Sequence, residues 1–432
     1  MKSVWSETEA RPHFEALKKD IKTDVLIIGG GIAGILTAYM LKKSGVDCVI
    51  VEADKICAGV TNYTTAKITF QHGLIYDKLI SRFGTEYAKM YLEANRAAIK
   101  QYSKMCRDIE CDHEITSAFV YLNEDKGILD AELSAYDKLG IKAMLRSTTE
   151  LPINVAGALE VKGQAQFNPL KFAFSIAKDL QVYENTKVLE IKKGSAVTDK
   201  HTIFAEKIVV ATHFPFINKY GAYFLKLYQS RSYVIALKNA QKLNGMYVDG
   251  SDKGLSFRRY KDMLLLGGGG HRTGKKGGNW QELRDFAKRY YPNSEEICFF
   301  ATQDCMSLDD VPYIGQYSKR IPWVYVATGF NKWGMTSSMV SAMILTDKIL
   351  GKSNPYQKVF DPSRSMWRPQ LFVNIAESTL GLITPTVPRC PHLGCALKYN
   401  KQEHSYDCPC HGSRFTEEGK LINNPATKDK NM

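Results

Sequence analysis

Two short segments near the end of the chain concentrate metal-ligating side chains: Cys390-Pro-His392-Leu-Gly-Cys395 and Cys408-Pro-Cys410-His411-Gly-Ser413. Cys390 and His392 are spaced Cys-x-His; Cys408 and His411 are spaced Cys-x-x-His. Two thiolates and two imidazoles on facing loops can hold two irons, with the neutral imidazoles raising the reduction potential above that of an all-thiolate cluster. Such a centre moves electrons one at a time. Cys/His mixtures also suit tetrahedral zinc, which would be structural rather than redox-active.

A second motif lies at the other end. Asp24-Val-Leu-Ile-Ile-Gly29-Gly30-Gly31-Ile32-Ala33-Gly34 is a buried strand running into Gly-x-Gly-x-x-Gly and then a helix. Gly29 makes the tight turn, Gly31 lets backbone approach a pyrophosphate, and Gly34 lets the helix pack on the strand. The helix N-terminus at Ile32 and Ala33 then offers its unpaired N–H groups to the phosphates. A second strand, Val46 to Glu52, ends in an acid placed to hold a ribose hydroxyl. Two later segments favour FAD over NAD: a returning strand, Lys207 to Thr212, and a strand–turn–helix at Trp323–Thr336 containing Gly329, Gly334, Met335 and Thr336.

With Asp309-Asp310-Val-Pro312-Tyr-Ile-Gly315 before that last segment, residues 20–350 resemble the D-amino-acid oxidase/glycine oxidase (DAO-type) FAD enzymes. The C-terminal loops resemble the Rieske [2Fe–2S] domain. The Rieske resemblance implies a cluster on Cys390, His392, Cys408 and His411, with Cys395 and Cys410 as a disulfide between the loops. High-potential members carry a tyrosine four residues after the last histidine, donating to a ligand sulfur. This chain has Phe415 there but keeps Ser413, which implies a potential below the top of the range. The sequence stops soon after Leu421-Ile-Asn-Asn-Pro-Ala, from which a minimal base for this module is expected. The DAO resemblance places Gly59, Thr61, Thr65 and Lys67 along the flavin ring and the Val188 backbone at the adenine.

The elements holding these groups divide the chain. The expected architecture is an α/β Rossmann-like FAD domain (20–80, 150–220 and 305–352), an interleaved α+β substrate domain (81–149 and 221–304), a linker (353–386) and a small all-β Rieske domain (387–432). Amino-acid-using relatives clamp the substrate carboxylate with two arginines. Gln303 and Lys332 stand at the corresponding places here, and a neutral amide or a point charge replaces a planar fork. Lys67, Lys332 and His271 are the candidate catalytic side chains; Arg231, Tyr233 and Arg258 are further pocket candidates. Leu264 to Arg272 reads as a strand entering a glycine-rich loop without the lysine and Ser/Thr placement of a P-loop.

Composition narrows the function class. At 432 residues, 44% apolar and 24% charged, the chain can bury several cores. The formal charge of +13 comes from scattered lysines without a nucleic-acid motif, so it reads as a solvated basic surface suited to an acidic electron-transfer partner. Val25 to Leu41 carries no charge, but its glycines mark a strand, turn and helix rather than a membrane span. The remaining cysteines show no framework spacing, and the N-terminus has no apolar leader, so a cytoplasmic protein is expected.

The expected function is a FAD-dependent dehydrogenase. It takes a hydride from a small substrate, an amine or amino-acid derivative, and passes electrons through the cluster to an external acceptor or donor protein. A Rieske flavoprotein reductase fed by NAD(P)H would need a second nucleotide domain. A Rieske oxygenase would need a 2-His-1-carboxylate iron, and with nine histidines, two of them on the cluster, no matching pattern occurs. A non-enzymatic redox-binding role is the remaining alternative.

Overall fold

In the computed structural model, residues 2–251, 254–385 and 388–430 are described. The expected linker–Rieske junction at 386/387 and the end at 432 lie outside them. The first sheet has eight strands. Its path runs Tyr313–Gln316, Val324–Thr328, Thr202–Val210, Ile21–Ile28, Cys48–Val51, Val182–Tyr183, with a hairpin of Val188–Lys192 and Ser195–Thr198 beside it. Ile21–Ile28 is parallel to both neighbours. Its Val25, Leu26 and Ile27 are completely or almost completely buried, as a central parallel strand covered on both faces requires. The helices Ile32–Lys43 and Gly334–Ile349 pack against each other. Their N-termini sit at the carboxyl ends of the parallel strands, where open α/β sheets bind ligands.

The second sheet has nine strands. Its path runs Glu295–Ser307, Leu227–Lys238, Met263–Arg272, Ser256–Tyr260, Gly245–Asp249, Glu114–Leu122, Gly157–Gln166, Lys67–Ile68, with Ala143–Arg146 beside Gly157–Gln166. Two expected boundaries move as a result. Lys67–Ile68 and Gly157–Gln166 were both placed in the nucleotide domain, yet they pair with each other in the second sheet. The ladder assigns them, because Gly157–Gln166 is also the partner of Glu114–Leu122 along nearly its whole length.

A small four-stranded antiparallel sheet, Lys398–Asn400, Ser405–Asp407, Arg414–Thr416 and Leu421–Asn423, carries the C-terminal loops. The expected linker is partly structural. Arg364 makes a bidentate pair with Asp309 at 2.8 Å on both arms and stacks on Tyr313, fixing the chain against the Asp-x-x-Pro turn. The helix Pro369–Ile383 then packs on the cluster loops: a Cβ added at Gly381 would meet Cys410 Sγ at 2.5 Å. Among the described residues no helix is long and apolar enough to cross a membrane.

Candidate functional site

The glycine turn is built as its spacing requires. Gly29 has φ +114°, and a Cβ there would strike the Ala211 carbonyl oxygen at 2.5 Å. A Cβ at Gly34 would lie 2.0 Å from the Gly29 carbonyl oxygen, so only glycine permits this helix–strand approach. Gly31, at the helix N-cap, has no nearer neighbour than Thr61 Oγ1 at 3.5 Å, which leaves the cradle open to a pyrophosphate. Thr61 Oγ1 accepts from the Ile32 N–H at 3.2 Å, tying the loop after Glu52 to the helix start. The Glu52 carboxylate accepts from the N–H groups of Gly30 (2.7 Å) and Asp54 (3.0 Å). Burial raises its pKa, and those two bonds oppose the rise. Val188 follows Thr186, whose N–H donates to the Glu52 carbonyl at 2.8 Å, so this segment borders the ribose acid.

The far end of the cradle is the helix Gly334–Ile349, whose N-cap residue Trp333 supplies no side-chain cap. Gly329 takes φ +70° before it. The Met335 carbonyl accepts from Tyr102 Oη at 2.9 Å, and the Thr336 hydroxyl donates to the Thr69 carbonyl at 3.1 Å. Sequence reasoning missed the group that closes this corner. His72 lies in a loop without a motif, yet its Nε2 contacts the Thr69 carbonyl (2.7 Å) and Thr336 Oγ1 (2.9 Å). Its Nδ1 meets Tyr91 Oη at 2.6 Å, and its ring stacks on Trp333. Burial lowers its pKa to about 3, so it is neutral.

Lys67 donates to Thr65 Oγ1 at 3.0 Å, and burial, then the charge of Arg258, lowers its pKa to about 7. The loop that carries it is strapped from outside. Trp5, fully buried, donates through Nε1 to the Thr64 carbonyl at 2.8 Å. A Cβ at Gly59 would meet nothing within 4 Å. The glycines, the half-buried acid and the two helix N-termini suit FAD, for which Gly31 would sit at the pyrophosphate, Glu52 at the ribose and Thr336 at the ring end.

Several pocket candidates do other work. Arg258 is spent on backbone: it donates to the carbonyls of Ala66 (3.1 Å), Phe167 (2.9 Å) and Thr65, and to Gln166 Oε1 (2.8 Å). Arg231 pairs with Glu403 of the C-terminal module, and Tyr233 Oη donates to the same carboxylate at 3.3 Å. His271 stacks on Tyr233, and its Nδ1 donates to the Gly269 carbonyl at 3.1 Å. Arg231, Tyr233 and His271 therefore share the face on which the C-terminal module docks. Among the described residues, no hydrogen bond or ring contact joins them to Lys67, whose partner is Thr65. Gln303 is on that face as well. Its Nε2 donates to the Gly412 carbonyl at 2.9 Å, and its Oε1 accepts from Thr273 at 3.2 Å.

The C-terminal loops bring cysteines and histidines together, with the Cys390 thiol against that of Cys408. The sulfurs of Cys395, Cys408 and Cys410 lie within 4.8 Å of one another, and the rings of His392 and His411 are 4.9 Å apart, nearly perpendicular. Both ring nitrogens of His411 and the Nδ1 of His392 are buried without hydrogen-bond partners. Burial lowers the His392 pKa to about 4 and that of His411 to about 3, so both are neutral, the form a metal takes. Orphaned imidazoles beside thiols are the donor set of a two-iron cluster. Cys395 and Cys410, expected as a disulfide, are free thiols in the structure.

Docking buries the cluster's inner edge. His411 is 2% exposed, between Phe214 and Phe224, whose ring centroids lie 6.4 and 6.3 Å away. Gln229 donates to the Asn424 carbonyl at 3.0 Å, and Asn424 donates to those of Thr212 (2.7 Å) and Phe214 (2.8 Å). Arg272 reaches the carbonyls of Pro409 (3.0 Å) and Cys410 (3.1 Å). His392, by contrast, is only half-buried, with Nε2 2.9 Å from Asn218 Oδ1.

Residues 24–348 match the family described as DAO, FAD dependent oxidoreductase, and residues 366–431 match the Rieske [2Fe-2S] domain. The chain belongs to the DAO family of FAD-dependent oxidoreductases. It binds FAD in the first unit and a [2Fe–2S] cluster in the second. It is 34% identical to the Rieske 2Fe-2S iron-sulfur protein YhfW of Bacillus subtilis, over 99% of this chain and 96% of that one. It is 26% identical to the gamma-glutamylputrescine oxidoreductase of Escherichia coli, over 46% of this chain and 50% of that protein. Its fold is shared with the L-proline dehydrogenase from P. horikoshii, with a TM-score of 0.67 at 18% identity over 80% of this chain and 98% of the other. The Rieske match starts at 366, inside the expected linker, in keeping with the packing of Pro369–Ile383 on the cluster loops.

Proposed function

We propose that this oxidoreductase oxidises a small amine or amino-acid derivative and passes the electrons from FAD through the cluster to an external one-electron acceptor. The carrying observation is the buried docking of His411 against the module that holds the flavin site. The strand Glu295–Ser307 borders the FAD-bearing loop on one face, through Phe300 and Tyr63, and carries the Gly412 loop on the other, through Gln303. One sheet layer, on the order of 10 Å, separates the two.

FAD, when bound, accepts the hydride; the protein's part is to orient the substrate and exclude water. Lys67, held by Thr65 and poised near neutrality, sits where it can hold or release a proton beside the flavin loop. His72, neutral and fixed by three contacts, closes the corner at Thr336 against solvent. Discharge through an exposed histidine edge, the simplest expectation for the cluster, applies only to His392. His411 faces inward as the entry, and half-buried His392 is the exit.

The test is a Cys408→Ser chain that still folds and binds FAD. Substrate should bleach its flavin as in the wild type, while turnover with a one-electron acceptor is lost. Full acceptor turnover in that variant rules out the relay. Reduction of the wild-type flavin by NADH and by no amine would favour the reductase instead.

A further inference from the structure

The strand Glu295–Ser307 alternates its side chains, and the alternation separates two neighbours. Gln303 points to the cluster loop, so Asp304 points to the opposite face, as do Thr302 and Phe300. That face looks toward the flavin loop, since the Phe300 and Tyr63 rings are 6.1 Å apart. The Asn331 N–H donates to the Cys305 carbonyl at 3.1 Å, and Asn331 Oδ1 accepts from the Ser307 N–H at 2.8 Å. These bonds lay the turn before Gly334 along the strand, where the charge of Lys332 reaches Asp304. Asn331 (φ +50°) and Lys332 (φ +70°) are both left-handed, an uncommon state for such residues, held here by the Asn331 bonds. Neither the Asp304 nor the Lys332 side chain has a hydrogen-bond partner among the described residues, and the Thr302 hydroxyl is buried without one.

We infer that Asp304 and Lys332 anchor the substrate by charge, Asp304 taking an ammonium group and Lys332 a carboxylate or carbonyl oxygen at its other end. This rests on the reading of the chain as an amine-oxidising flavoenzyme. The position that corresponds to the relatives' arginine, Gln303, is turned to the cluster loop; the group the strand offers on the other face is an acid, and the cation sits on the exposed turn. The selected compound carries both an ammonium and an oxygen acceptor, and a plain carboxylic acid meets Asp304 with like charge.

The groups facing Asp304 are Lys332 and, from across the strand, Arg231. Burial lifts the carboxyl to about 6 against the pull of both. It is ionised at neutral pH, and affinity for an ammonium falls as pH drops through 6.

The test uses FAD-loaded full-length protein without oxygen, with glycine, β-alanine and 4-aminobutyrate, the matched alkylamines and the matched carboxylates. Binding is read from the flavin spectrum, and reduction from its bleaching. In the wild type one aminocarboxylate should bind more tightly than its matched amine and acid. Asp304→Asn should weaken ammonium-bearing probes at least tenfold, abolish the step near pH 6 and tighten the plain carboxylates, which no longer meet a like charge. Lys332→Met should weaken the aminocarboxylates and spare the alkylamines. A wild-type flavin that no amine reduces overturns the amine-oxidising reading itself. A flavin reduced by an amine equally in wild type and Asp304→Asn overturns the anchoring alone.

Discussion

The side-chain amide of Gln303 donates to the carbonyl oxygen of Gly412, one residue beyond the cluster histidine His411, at 2.9 Å. A residue whose place in amino-acid-using relatives points to substrate here holds the electron-transfer module. Gly412 is suited to its half of the contact: it has φ +86°, and a Cβ would lie 2.5 Å from Gln229 Cβ. Gly412→Ala should therefore push the loop off the sheet. We expect slower electron transfer from flavin to cluster, with hydride transfer from substrate unchanged, measured by stopped-flow absorbance at the two chromophores. An unaltered flavin-to-cluster rate would contradict the docking role.

Purified protein should contain two irons per chain and show the electron paramagnetic resonance of a histidine-ligated [2Fe–2S] cluster after reduction. His392→Ala or His411→Ala should lose that signal and keep FAD, because the glycine turn and Glu52 belong to another unit. One zinc and no iron in anaerobically purified protein would overturn the assignment.

The potential should fall in the lower or middle part of the roughly −150 to +300 mV span of such centres. Phe415 is fully buried and offers no donor. Ser413 lies beside the Cys390 sulfur, and its oxygen accepts from the Ala426 N–H at 2.9 Å. Phe415→Tyr should raise the potential and Ser413→Ala lower it in protein-film voltammetry, since hydrogen bonds to the sulfurs favour the reduced cluster.

Arg364 and Asp309 form a nearly buried pair, 9% and 1% exposed at their side chains. Arg364→Ala strands the carboxylate and should cost about 3–5 kcal/mol in denaturant unfolding. Burial would raise the Asp309 pKa, but the charge and hydrogen bonds of Arg364 outweigh it and hold it below the ordinary value. A depressed folded pKa means the contribution is complete above the unfolded pKa, about 3.9, and is lost as pH falls through the folded value. The wild type should lose more stability on acidification than Arg364→Ala does.

Lys67 should give the rate of flavin reduction an inflection near pH 7, its lowered pKa. Lys67→Met should flatten that step. A wild-type profile without it would remove Lys67 from the proton chemistry.

The parts of the site legible in the sequence were those where a backbone approach or a metal dictates residue type at fixed spacing: Gly29, Gly31 and Gly34, then Cys390, His392, Cys408 and His411. What stayed hidden depends on long-range packing. In Thr302-Gln303-Asp304 both faces of the strand are polar because both meet functional neighbours, so alternation carries no sign of which side is inward. Arg231 and Tyr233 looked like pocket residues because nothing local says that a distant module supplies Glu403. The pairing of Lys67–Ile68 and Gly157–Gln166 in the second sheet was hidden for the same reason: their partners lie far along the chain. His72 and Trp5 carried no signal at all, since a lone histidine and a lone tryptophan acquire meaning only from Thr336 and Thr64.

His411 touches side chains from the flavin unit, and its loop is held by Gln229, Arg272 and Gln303 from three strands of the second sheet. Those strands come together only when the upstream chain is complete, and once they close the ring is 2% exposed. A metal centre so enclosed has a maturation order written into the fold. Iron and sulfide are expected to enter while the last sixty or so residues still stand apart, with closing over the His411 side as the final step that makes one protein of two cofactors.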